Sequence, residues 1–164
     1  MPRRLICAIV GRRVLDPDRD SATPEFATRA GRCAAQAGFA VLTGGKEGAM
    51  WYAAQSAKAA GGRTLAILPN NTHNAAVGDF YDYVLPTPIG IVRNVFTASA
   101  CDVMIAVPGG SGTLEEILFA QDFGRPVIQF PGWLSINTLT VEACHTAEGL
   151  SAWLAVHYER LRET

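Results

Sequence analysis

Residues 102–116 read DVMIAVPGGSGTLEE, an apolar run of strand length that breaks into a glycine-rich turn and then into a threonine and two acids. A short apolar run rich in β-branched residues suits a strand buried on both faces, and the segment Thr113–Phe123 that follows suits a helix. Strand, bare loop and helix in that order form one half of a parallel β–α unit. Pro126–Phe130 then reads as the next strand.

The same alternation continues on the N-terminal side. Leu5–Val10 (LICAIV) is a second continuous apolar run, closed by Gly11, and Pro24–Gly38 is a helix with a glycine at its C-terminal stop. Strands are predicted at Phe39–Leu42, Arg63–Leu68 and Tyr81–Leu85, and helices at Ala49–Ala60 and Ile91–Ala100. Residues 70–79 read as a loop, Leu139–Ala143 as an edge strand, and Thr146–Arg162 as a last helix that buries Trp153, Val156 and Leu161. Parallel neighbours need a crossover, and most of the crossovers here read as helical. The expected fold is α/β, a Rossmann-like parallel sheet of about six or seven strands with helices on both faces, in one domain over residues 1–164.

Composition removes several function classes. The formal net charge is −1, and the Arg3-Arg4 and Arg12-Arg13 pairs flank a short strand, which argues for solvated strand ends and against a nucleic-acid surface. No run approaches a membrane span or a secretory leader. Cys7, Cys33, Cys101 and Cys144 lie far apart, and His73, His145 and His157 are scattered, so no metal site or disulfide framework is signalled. These features describe a soluble cytoplasmic protein with reduced thiols.

Ligands of such sheets sit beyond the carboxyl ends of the strands, where two glycine loops fall. The turn after the first strand lacks GxGxxG, and no GxxxxGK[ST] occurs, which disfavours ordinary dinucleotide binding and a P-loop. In Pro108–Thr113, Gly109, Gly110 and Gly112 let a ligand reach the backbone, while Ser111 and Thr113 add hydroxyls at a helix N-terminus. A phosphate suits that environment. The loop Thr43–Met50, with Gly44, Gly45, Lys46 and Met50, can approach from a neighbouring strand end.

Two assignments stay open at this level. Thr113-Leu114-Glu115-Glu116 fits a capping box with Thr113 as cap, yet Glu116 also suits a catalytic carboxylate; Glu115 reads as a solvated helix start. Arg93 either lies on the exposed face of its helix or clamps a phosphate or pairs with Glu116. Trp51 and Tyr52 read as core or subunit contacts ahead of the alternative, a platform on which a purine stacks.

PGGSGTLEE at Pro108–Glu116, TGGKEGAM at Thr43–Met50 and the intervening Arg93 resemble the LONELY GUY (LOG) family of nucleoside 5'-monophosphate phosphoribohydrolases. With ILP at Ile67–Pro69 and LPTPIGIVRN at Leu85–Asn94, the chain looks still closer to the related group of molybdenum cofactor carrier-like proteins. The resemblance implies a homodimer or homotetramer that holds a phosphoribosyl group in the PGGxGT loop, with Arg93 and Glu116 cleaving an N-glycosidic bond and no cofactor required. The alternative it implies is a carrier of a molybdopterin-type pterin-phosphate. Asn94 stands where the hydrolases carry lysine, and Trp51 replaces a small residue where it would crowd a base pocket.

Overall fold

A computed structural model describes residues 3–72, 78–131, 133 and 141–163. His73 lies outside the described residues, as do Leu139 and Thr140 at the start of the expected edge strand. The chain runs β1 (Ile6–Val10), α1 (Thr23–Gln36), β2 (Ala40–Thr43), α2 (Ala49–Ala59), β3 (Thr64–Leu68), β4 (Tyr83–Pro86), a 3-10 turn (Gly90–Val92), α3 (Arg93–Ala100), β5 (Val103–Ala106), α4 (Ser111–Asp122), β6 (Val127–Gln129), β7 (Glu142–Ala143) and α5 (Ala147–Arg162). Its seven strands form one sheet in the order β4-β3-β2-β1-β5-β6-β7, every pair parallel. This is the expected α/β Rossmann-like fold.

Strand periodicity divides the core in two. Cys7 and Ile9 of β1 join Val41, Val103 and Ile105 beneath α1, α2 and α5, whereas Ala8 and Val10 join Met104 and Ala106 beneath α3 and α4. Both sheet faces are therefore covered, which is why the inner strands read as unbroken apolar runs. On α5 the buried face is Leu150, Trp153 and Leu154, with Leu161 packed against it; Val156, expected there, points outward because it falls off that i, i+3, i+4 row. Gly31 lets α1 lie against α2, since a Cβ there would meet the Ala53 carbonyl.

Chain order reverses around β1, whose neighbours are β2 on one side and β5 on the other. The crevice beyond the carboxyl ends of β1 and β5 is the switch point of this sheet. The turn after Val10 and the loop after Ala106 face each other there: the Arg12 N–H donates to the Pro108 carbonyl at 3.0 Å, and the Val107 N–H to Val10 at 2.8 Å.

Candidate functional site

A cleft of about 370 Å³ opens at that switch point. Gly11–Val14 form one wall, Lys46 and Met50 the second, Ile91, Arg93 and Asn94 the third, and Gly110–Thr113 with Glu116 the floor. Its size suits a nucleotide-sized ligand.

The floor differs from the capping-box expectation. Gly110, in an extended conformation (φ −114°, ψ −154°), is the N-cap, and α4 begins at Ser111, two residues before Thr113. No side chain caps this helix. Thr113 is buried inside the first turn with its side chain against Gly109, where any Cβ would overlap it. Ser111–Thr113 thus occupy the first turn, whose N–H groups have no i−4 partners inside the helix and carry its positive dipole end. The loop glycines and a hydroxyl-bearing first turn converge on the cleft as an anion-binding geometry.

Released from capping, Glu116 sits one turn deeper in α4 at 6% exposure, and it still reaches the cleft. Its partner is Arg93: Nη1 lies 3.6 Å from Glu116 Oε1, with the two side chains 12% and 8% exposed. Arg93 therefore does not lie on the exposed face of its helix. Burial raises the Glu116 carboxyl to about 7; Arg93 opposes the rise and Glu115 adds to it. Burial likewise lowers the Arg93 guanidinium, with Glu116 opposing. Arg93 Nη1 is buried without a hydrogen bond, so the pair is held by charge and shape.

The remaining sequence-predicted residues divide. Lys46 and Met50 line the cleft with Gly110, Ser111, Gly112 and Thr113. Gly44, Gly45 and Gly109 lie behind it: a Cβ on Gly44 would overlap the Arg93 guanidinium, and Gly45 turns at φ +68° against Leu68 and Ala66. Gly44 and Gly109 make room for Arg93 and Thr113, which line the cleft, and Gly45 makes room for Leu68 and Ala66 behind it. Glu115 is half-buried and accepts from Asn94 Nδ2 at 3.3 Å, so it is not a free solvated acid. Trp51 does not crowd the cleft; it packs edge-on against Tyr52 and Phe80 at 5.1 and 5.8 Å.

Sequence reasoning missed Arg12. Expected as part of a solvated strand end, it lines the cleft, donates from Nη2 to the Gly109 carbonyl at 3.0 Å and lies 3.4 Å from the buried Asp20 carboxylate. The local signal was only an arginine after a glycine; its partners are 97 and 8 residues away.

With this geometry in place, comparison decides the family, because the model of the SLOG cluster4 family matches residues 4–159. The chain belongs to the SLOG cluster4 family. Its LOG-like character extends to a cytokinin riboside 5'-monophosphate phosphoribohydrolase of Mycobacterium tuberculosis, 28% identical over 138 residues, 79% of this chain and 68% of that protein. Among solved structures it is similar to the molybdenum cofactor binding protein of Rippkaea orientalis (TM-score 0.76, 27% identity, 99% of both chains). It is also similar to the molybdenum cofactor carrier protein of Chlamydomonas reinhardtii (TM-score 0.80, 27% identity, 96% of this chain and 99% of that one).

Proposed function

We propose that this SLOG cluster4 protein is a phosphoribohydrolase that cleaves a nucleoside 5'-monophosphate to free base and ribose 5-phosphate. The observation that carries the reading is the Arg93–Glu116 pair, 3.6 Å apart, on the same cleft as the Ser111–Thr113 helix start. The first-turn amides and hydroxyls of α4 hold the 5'-phosphate, which brings the ribose over Glu116. As the C1'–N bond breaks, its electron pair leaves with the base, which takes up a proton. Glu116 accepts a proton from the water that adds to C1', and its negative charge faces the ribosyl cation as that charge develops. Arg93 keeps part of the Glu116 population ionised near neutral pH. No cofactor enters this reaction.

The phosphate is the handle in this scheme, so binding energy at the loop is spent on orienting the ribose. Nucleoside 5'-monophosphates are expected to be cleaved, and the matching nucleosides to be cleaved at least ~10²-fold more slowly, on chromatographic measurement of released base. Equal rates with and without the phosphate would separate the loop from the reaction.

A second reading, a carrier of a molybdopterin-type pterin-phosphate, is favoured by the structural likeness over 99% of both chains at 27% identity. The cleft fits such a cargo through the same first-turn amides for its phosphate and the cationic wall of Arg12, Arg13 and Lys46. Both readings place the protein in the cytoplasm, consistent with four free cysteines and with no helix among the described residues long and apolar enough to cross a membrane.

The working unit is proposed to be a homodimer or homotetramer. Ile91, Val92 and Phe96, 65%, 55% and 52% exposed, form an apolar face on the 3-10 turn and α3 at the lip of the cleft. Covering that face with a second copy would also close the lip. Phe96→Glu is expected to convert the oligomer to monomer in light scattering and to weaken activity; an unchanged mass would move the interface elsewhere.

A further inference from the structure

Arg12 ties two segments around the cleft, the Pro108-Gly109 loop and the start of α2, through three different groups. Its N–H donates to the Pro108 carbonyl at 3.0 Å, its Nη2 to the Gly109 carbonyl at 3.0 Å, and its own carbonyl accepts from the Ala49 N–H at the start of α2 at 3.0 Å. Asp20 fixes the side chain from behind. Its carboxylate lies 3.4 Å from Arg12 Nε and accepts the Asp16 N–H at 2.9 Å, while its backbone N–H donates to the Asp16 carbonyl at 2.8 Å. Asp20 is 5% exposed, so an arginine withdrawn from it would leave a buried carboxylate without its charge partner.

The consequence lies in the geometry of the peptide group. A trans peptide is planar, and its C=O and N–H point in opposite directions. Arg12 holds two successive carbonyls of the loop, those of Pro108 and Gly109, on its own side. The N–H groups of the same two peptides, belonging to Gly109 and Gly110, are thereby turned away from Arg12, and no described residue accepts a hydrogen bond from either. Gly110 is also the N-cap of α4 and lies on the cleft floor, so its amide extends the row begun by the helix's first turn.

We propose that Arg12, locked by Asp20, is a positioning residue that presets the Gly110 amide for an oxyanion, so that the loop binds phosphate without first rearranging. Glycine makes the loop bare, and Arg12 makes it directional. The inference rests on the loop being a phosphate site, which the hydrolase and carrier readings share.

The test is the affinity of ribose 5-phosphate for the full chain by calorimetry, with the Gly110 amide resonance followed by NMR. Arg12→Lys keeps the charge but presents a single nitrogen that cannot hold Gly109 and Asp20 together. It is expected to weaken binding roughly tenfold or more and to reduce the shift of the Gly110 resonance on ligand addition. Asp20→Asn, which leaves every Arg12 donor in place, is expected to weaken binding in the same direction by less. A lowered melting temperature with unchanged affinity in both variants would make Arg12 a structural residue only and overturn the proposal. Full affinity in Arg12→Lys with loss in Arg12→Ala would overturn it too, leaving Arg12 as a simple charge. Wild-type protein that binds ribose 5-phosphate but cleaves no nucleotide removes the hydrolase reading and leaves this one standing. Wild-type protein that binds neither ribose 5-phosphate nor inorganic phosphate overturns both.

Discussion

Glu116→Gln is expected to lower turnover by roughly 10²–10⁴-fold while leaving ribose 5-phosphate binding in place, because the amide keeps the side chain's shape but cannot take a proton. The residue lies behind the first turn of α4, and the groups assigned to the phosphate belong to Gly110–Thr113. In the wild type only the ionised carboxylate serves as base, so the rate should rise with pH through the Glu116 titration near 7 and level off above it. Stability supplies a separate signature of the same group. Its carboxyl is held at about 7 in the folded chain, against an ordinary 4.5. The stabilisation this gives is therefore fully present below 4.5 and is lost as pH rises through 7. Gln does not titrate, so the melting temperature of the variant relative to wild type should be higher at pH 8 than at pH 5. The attraction of Arg93 for the ionised carboxylate is already contained in the folded-state titration and needs no separate correction. Wild-type turnover in Glu116→Gln would remove the carboxylate from the chemistry.

Gly44→Ala is expected to give a folded protein that has lost activity by on the order of 10²-fold. The added methyl would occupy the space of the Arg93 guanidinium, the far end of a flexible side chain that can swing aside with little cost to the fold. Once displaced, Arg93 no longer lowers the Glu116 titration, and burial and Glu115, which both raise it, act unopposed. The acid limb of the pH–rate profile should then move to higher pH along with the loss of rate. A cooperative melt within a few degrees of wild type, together with the shifted limb, checks both parts. An unshifted limb in a slow enzyme would mean that Gly44 serves the ligand directly.

Gly44 also shows how far this fold and site could be read from sequence. The sheet was legible because both its faces are covered, so Leu5–Val10 and Asp102–Val107 stand out as unbroken apolar runs separated by helical stretches. The glycine loop stood out because a bare backbone before a helix has few other uses, whereas Glu116 stayed open between a cap and a site residue. The start of α4 was misplaced because Thr113-x-x-Glu116 imitates a capping box; the glycine before Ser111 adopts the cap geometry instead and frees Thr113 to pack on Gly109. Arg93 remained ambiguous because local composition does not reveal that Glu116, 23 positions later, lies across the cleft. Arg12 was hidden for the same reason, as its place on the cleft is set by contacts with a carbonyl 97 residues away. Val156 failed differently: on α5 the buried row runs through Leu150, Trp153 and Leu154, and an apolar residue off that row faces outward.

The proposed reaction is the cleavage of an N-glycosidic bond by water at this cleft. The most direct measurement is release of free base from a panel of purine and pyrimidine nucleoside 5'-monophosphates by purified wild-type protein, followed chromatographically with ribose 5-phosphate quantified in parallel. At least one nucleotide is expected to yield base and ribose 5-phosphate in equal amounts over many turnovers. No release from any of them, from protein that carries a fluorescent oxidised pterin when purified from cofactor-producing cells, would contradict it and make the cleft a carrier site.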